Sequence, residues 1–194
     1  NNVESNDMAP IMNLFNEWHP KETSKKVRAV FKAKAERGER VSSQIPYGYA
    51  RDESTPIGSK KSIKLVIDEE TAPVVREIYR LCASGLGPTY IAHILKERKI
   101  LKPSMYSYEK TGKYGAATDV TDPYGWNDRT VAGILDNEVY IGNTINLKET
   151  TVSYKNKHKI QRPEEEWIRV EGTHEAIIDM DTWEGCMFSN PIYG

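Results

Sequence analysis

The sequence predicts an α+β chain: a helical N-terminal segment, then a mixed domain with a helix-turn-helix-like hairpin and a small β-sheet. Three observations carry this. Apolar residues recur at helical spacing in several windows, broken by short Gly- and Pro-rich segments. Strand character is confined to brief runs such as Ile63-Lys64-Leu65-Val66-Ile67. The chain has 194 residues, 38% apolar and 28% charged, enough for one good-sized domain or two small ones.

Ile11, Leu14, Phe15 and Trp18 stand at i, i+3, i+4 and i+7, the stripe of an amphipathic helix. Pro20 is expected to end or kink that helix near His19, because its ring clashes with the preceding turn. A second helical run is expected from about Glu22 to Arg37, closed by Gly38. On it Lys21, Lys25, Arg28 and Lys32 fall within an arc of about 60° at ~100° per residue. Val27, Val30 and Phe31 lie roughly opposite and call for an apolar partner.

Ile45-Pro46-Tyr47-Gly48-Tyr49 is too rich in Pro and Gly for a helix, and a loop with Pro56 and Gly58 leads to the strand at 63–67. Asp68 is the expected N-cap of the next helix, whose core face is Val75, Ile78 and Cys82. Gly85-Leu86-Gly87 breaks it, and a further helix opens at Pro88 with Ile91, Ile94 and Leu95 inward. Residues 102–125 read as a long irregular loop carrying Tyr106, Tyr108, Tyr114, Tyr124, Lys110 and Lys113. A short helix is expected near Asp128–Asp136, with Asn137 in a left-handed C-terminal position and Val139–Gly142 turning into a strand. The basic stretch Tyr154–Arg162 and Trp167–Val170 are expected as a hairpin, and Asp181-Thr182-Trp183 as the start of a last helix.

The formal net charge of -1 argues by itself against a nucleic-acid binder. It conceals blocks. Residues 20–51 carry an excess of six positive charges and residues 145–162 an excess of four, while residues 163–194 hold eight acids against Arg169 alone. Two basic islands on a neutral body fit either an anionic polymer or plain solvated faces. No apolar run approaches the roughly 20 residues of a membrane helix, and Asn1-Asn2-Val3-Glu4 lacks the layout of a secretory signal. Cys82 and Cys186 are expected to form neither a disulfide framework nor a zinc pair, which points to a reducing cytoplasm. His19, His93, His158 and His174 show no metal spacing, and no cofactor is expected. Ser24 has no neighbour that would activate it as a nucleophile.

The string Trp126-Asn127-Asp128-Arg129-Thr130-Val131-Ala132-Gly133-Ile134-Leu135-Asp136-Asn137-Glu138-Val139-Tyr140-Ile141-Gly142 resembles the signature of the "recombinase" domain of large serine recombinases. These are the site-specific recombinases of conjugative transposons and temperate phages. Four further pieces are similar and in the family's order: Ser24-Lys25-Lys26-Val27-Arg28, Pro46-Tyr47-Gly48-Tyr49, Gly85 with Ile91-Ala92 and Leu95, and Trp167 through His174-Glu175-Ala176-Ile177-Ile178. The resemblance implies that residues 1–19 are the end of a catalytic domain, 20–40 its outgoing helix and 41–184 the DNA-binding recombinase domain, with 185–194 unassigned. It implies double-stranded DNA as partner and a dimeric, then tetrameric, full-length parent acting on the bacterial nucleoid. These residues alone are expected to be a monomer without a catalytic site, since no segment matches the family's nucleophile motif.

DNA is held first by neutralising phosphates, and sequence is read by side chains on base edges. The phosphate candidates are Lys21, Lys25, Lys26, Arg28, Lys32, Lys34, Arg37 and Arg40, with Lys155, Lys157, Lys159 and Arg162 on the basic hairpin. The base-reading candidates are Thr89, Tyr90, His93, Lys96 and Arg98 on the second hairpin helix, and Tyr106, Tyr108, Lys110 and Lys113 beyond it. Trp126, Ile134, Leu135, Tyr140 and Ile141 are expected as core, Gly48 and Gly142 as backbone requirements, and His174 as either a structural hydrogen-bonding residue or an exposed one. Two rival readings are a free-standing helix-turn-helix transcription regulator and a protein-interaction module.

Overall fold

The computed structural model describes residues 9–54, 62–153, 155–156 and 158–189, with side chains from Lys21 to Phe188. The side chains of the apolar stripe at Ile11–Trp18, the Pro56 and Gly58 loop, Tyr154, Lys157 and residues 190–194 lie outside the described parts.

Six α-helices and three separate two-stranded antiparallel pairs make up the described chain, an α+β architecture. Helix α1 runs from Ala9 to Glu36 and continues straight through Pro20, where a break was expected. Proline removes one backbone donor and strains one turn, a cost of roughly 3 kcal/mol. The alanine- and lysine-rich turns that follow carry the helix across that single defect. The helix closes at Gly38, as expected: the amides of Gly38 and Glu39 return to the carbonyls of Ala35 and Lys34 at 3.0 and 3.1 Å.

Strand β1 (Tyr49–Arg51) pairs with β2 (Leu65–Ile67), Tyr49 opposite Ile67. Helix α2 (Ala72–Ala83) starts three residues later than Asp68 implied, with Pro73 in its first turn. Asp68 instead forms a turn of its own, its Oδ1 accepting from the Glu70 amide at 3.0 Å and its carbonyl from the Ala72 amide at 2.8 Å. After Gly85 comes α3 (Pro88–Glu97), so the expected αα-hairpin is present.

The stretch taken for a loop contains helix α4 (Pro103–Thr111). Pro103 sits in its first turn and Gly112 ends it in the left-handed region, while Met105 is buried; serine and tyrosine propensities concealed it. Helix α5 (Asp128–Leu135) is capped by Asn127, whose Oδ1 accepts from the Thr130 amide at 2.8 Å. Asn137 is not left-handed: its backbone is extended and its side chain accepts from Val139, opening a 3-10 turn, Glu138–Ile141, where a strand was expected. That turn drops Tyr140 into the core, 2% exposed.

The last strands are nested. β3 (Thr144–Asn146) pairs with β6 (Ile168–Val170), and the hairpin of β4 (Glu149–Thr151) and β5 (Lys159–Gln161) is inserted between them. The basic stretch therefore pairs backwards onto Glu149–Thr151 rather than forwards onto Trp167–Val170. Helix α6 (Met180–Ser189) begins where the sequence suggested.

The core joins α2, α3, α5, the 3-10 turn and α6 around Tyr79, Tyr140, Ile78, Ile91, Leu95 and Leu135. Trp126, Ile134, Leu135 and Tyr140 are buried as expected, Ile141 partly so. Buried hydroxyls find partners: Tyr79 lies 2.8 Å from the Ile134 carbonyl and Tyr49 2.8 Å from that of Glu175. Gly48 and Gly142 are required by the backbone. A Cβ on Gly48 (φ +95°) would stand 2.8 Å from a Val75 methyl, and one on Gly142 (φ +87°) 2.8 Å from the His174 carbonyl oxygen. Packing of α2 against α6 also brings Cys82 and Cys186 into a disulfide across 104 residues, correcting the expectation of two unlinked cysteines. Neither residue's sequence neighbourhood signals the other, because only the folded α2–α6 interface makes them neighbours.

Candidate nucleic-acid interface

Helix α1 meets the body at its C-terminal end. Ala35 is fully buried, and Gly38 approaches Val170 and Thr173 so closely that a Cβ would stand 2.9 Å from the Thr173 methyl. Outward from that joint the helix is bare. Every residue from Lys25 to Ala33 is exposed, on all sides of the helix. Val27, Val30 and Phe31, expected to meet an apolar partner, are 45%, 54% and 44% exposed. The opposite side presents Lys21, Lys25, Arg28 and Lys32, all exposed, with Lys26 beside them.

These cations are weakly engaged. Lys26 and Lys32 pair within the helix with Glu22 and Glu36 at 3.9 Å, a geometry worth little in water. Arg28 reaches Thr151 Oγ1 at 3.3 Å, so the tip of β4 lies against α1. Two basic islands more than a hundred residues apart in sequence thus share one side of the molecule. On the hairpin Lys155 and Lys159 are exposed, and Lys159 pairs with Glu149 at 2.9 Å. Arg162, partly buried at its base, pairs with Glu166 at 3.0 Å.

Three candidates near the joint are more committed to the chain itself. Lys34 is half-buried. Arg37 pairs with Glu39 at 2.7 Å. Arg40 donates twice to the Gln44 carbonyl, at 3.1 and 2.8 Å, and burial pulls its pKa below the usual guanidinium value.

Helix α3 turns Ile91, Ala92 and Leu95 into the core and leaves Thr89, Tyr90, His93 and Lys96 exposed on the outer side, Tyr90 at 69%. His93 lies 3.2 Å from Glu97 and Lys96 3.2 Å from Asp122, both in solvent. Arg98 is bound to Glu77 of α2 at 2.9 Å, and Arg80 takes the same carboxylate at 2.7 Å. Those two cations, Arg80 first, hold the Glu77 carboxyl down at about 2.

Beyond α3 two of the expected base readers, Tyr106 and Lys110, are engaged by other side chains. The Tyr106 hydroxyl donates to Asp68 at 2.7 Å, and its ring meets Tyr47 edge-on. Lys110 bonds Glu70 at 2.8 Å and lies over the Tyr106 ring. Tyr108 stacks edge-to-face with Tyr114, and Lys113 is exposed just past α4. This Asp68–Tyr106–Glu70–Lys110 network escaped the sequence reading, because it required knowing that 103–111 is a helix facing the start of α2. Among the described residues no group of three or more His, Cys, Asp or Glu is placed to hold a metal ion, and no helix is long and apolar enough to cross a membrane.

Residues 69–187 match the protein-family model described as Recombinase. Among solved structures the chain is similar to one of an "LSR-DNA complex", with 17% identity and a TM-score of 0.47 over 85% of this chain and 38% of that one. It is similar as well to one described under the sequence requirements of the Listeria innocua prophage attP site, with 17% identity and a TM-score of 0.46 over 85% and 50%. The chain spans half or less of the length of these two.

Proposed function

The chain belongs to the Recombinase family, and on that premise we propose that it is the double-stranded-DNA-binding part of a site-specific serine recombinase, holding one half of an attachment or transposon-end site. The observation that carries this reading is the bare stretch of α1: nine consecutive helical residues exposed all round, with a row of cations along one side. A helix stretch that meets the body only where Arg28 reaches Thr151 gains little from packing, and a cationic row at turn spacing matches the phosphates of a duplex.

In this reading residues 1–19 close a catalytic domain, 20–40 form the outgoing helix, and 41–184 form the recombinase domain. Lys21, Lys25, Lys26, Arg28 and Lys32 take phosphates, with Lys155 and Lys159 of the hairpin beside them; Lys157, also a phosphate candidate, lies outside the described residues. Lys34, Arg37 and Arg40 steady the joint more than they touch DNA, because the last two are already bonded within the chain. Thr89, Tyr90, His93 and Lys96 of α3 are the side chains offered to base edges, Lys113 lies at the margin, and Lys110 contributes by fixing α4. The parent protein cleaves both strands through phosphoserine links, exchanges them and rejoins them, dimerising and then forming a synaptic tetramer on the bacterial nucleoid. The present residues bind as a monomer and supply the address.

The test is a titration against the element's end sequence and against random duplex at several salt concentrations. The triple variant K25A/R28A/K32A should weaken binding to every sequence and reduce the slope of log K against log salt by about 3. Equal affinity of the unaltered protein for both duplexes, or an unchanged slope in the variant, overturns the reading.

A further inference from the structure

Cys82 lies in the last turn of α2, three residues before Gly85 where the chain turns into α3, and Cys186 lies in the second half of α6. Both are buried, at 1% and 0% exposure, and they are the chain's two cysteines. We propose that the Cys82–Cys186 bond is a thiol-controlled staple, opened by a small dithiol and closed by a small-molecule disulfide that is itself reduced to two thiols, so that redox state sets how firmly α6 is fixed to α2. This goes beyond the DNA-binding reading and does not depend on it.

The neighbourhood allows the bond to open without loss of the fold. The first half of α6 has its own attachments: Asp179 caps the helix by accepting from the Thr182 amide at 2.8 Å, and the Trp183 ring lies 5.7 Å from that of Tyr79. Cys186 and the partly buried Met187 follow, and Phe188 beyond them is 89% exposed. Opening the disulfide therefore frees the C-terminal half of α6 and leaves the first half seated.

The exchange balances as two successive displacements. A thiolate of the dithiol attacks one cysteine sulfur, the S–S electron pair leaves on the other, and that sulfur takes a proton. The dithiol's second thiolate then attacks the mixed disulfide and releases the remaining cysteine as a thiol. Two electrons and two protons pass to the protein, and the reductant departs as a cyclic disulfide. Because both sulfurs are buried, the attack waits for α6 to lift, so the rate of reduction follows that opening.

The experiment uses the whole chain, treated with oxidised glutathione or with dithiothreitol. Intact mass after alkylation in denaturant counts the thiols, and hydrogen exchange is followed peptide by peptide. The expected result is no alkylatable thiol after oxidation and two after reduction. Amides of residues 184–188 should exchange about tenfold faster in the reduced protein, while those of α3 and α5 stay unchanged. A Cys186→Ser variant should exchange like the reduced form and ignore both reagents. Two free thiols after oxidation, or identical exchange of 184–188 in the two states, overturns the proposal; the redox comparison on the unaltered chain suffices should the variant not fold.

Discussion

Gly142 turns the chain beneath the carbonyl of His174, and no other residue fits there without moving that carbonyl. Gly142→Ala adds a left-handed backbone penalty to the collision, so it should cost about 1–3 kcal/mol. A urea unfolding curve checks this, with a lower midpoint and an unchanged slope expected. His174 itself is held neutral. Its Nε2 lies 2.8 Å from the Val139 carbonyl and so carries the hydrogen, while Nδ1 lies 2.9 Å from the Thr173 hydroxyl, which also meets the Gly142 carbonyl at 3.1 Å. Burial, with Arg40 nearby adding to it, places the ring's pKa below its ordinary 6.5. The unfolded chain thus binds the extra proton more readily. The contribution of His174 to stability is complete above pH 6.5 and falls as the pH drops below it towards the lowered folded value. His174→Gln should flatten the dependence of the unfolding midpoint on pH across that window; a wild-type midpoint that rises on acidification would refute the assignment. At this scale the sequence was legible where chemistry is local, as with Gly48 and Gly142. The disulfide and the Tyr106–Asp68 bond were hidden, since each joins residues far apart in the chain.

Among elements, those with a strong apolar period were readable: α2, α3 and α5, although α2 begins at Ala72 rather than directly after Asp68, and the start of α6 was readable as well. Helix α4 was not, because four of its nine residues are serine or tyrosine and one inward Met105 is too little to show a period. Strand partners were beyond reach as well, for three-residue strands carry almost no pattern and pairing is a long-range property. The nesting of β4–β5 inside β3–β6 makes a direct prediction. The Arg162 amide already meets the Lys148 carbonyl at 2.8 Å, closing the base of the hairpin. Replacing residues 149–161 by Asn-Gly should therefore leave β3–β6 and the thermal midpoint nearly unchanged. Under the proposed function the same deletion lowers affinity for all duplexes alike, measured by the salt titration. A collapse of the fold would mean that the hairpin supports the body.

For the whole molecule, net charge proved a poor guide, since a near-neutral total hides one side where α1 and the hairpin meet. The body and α1 should also separate cleanly in their energetics. A chain beginning at Lys34 keeps buried Ala35 and Gly38 and loses a stretch of α1 whose described residues bury little. Calorimetry should find its melting close to that of the full chain, and binding to any duplex should fall. A large drop in melting temperature would show that α1 contributes substantial packing.

The uninterrupted passage of α1 through Pro20 gives the joint at Gly38 mechanical leverage. Twenty-eight helical residues extend about 42 Å, so a tilt of ~10° at the base displaces the far end by about 7 Å. That is roughly two base-pair steps along a duplex. The far end of α1 at Ala9 is thus aimed by a few atoms around Ala35, Gly38, Val170 and Thr173, and a single methyl group added there would act as a change of direction.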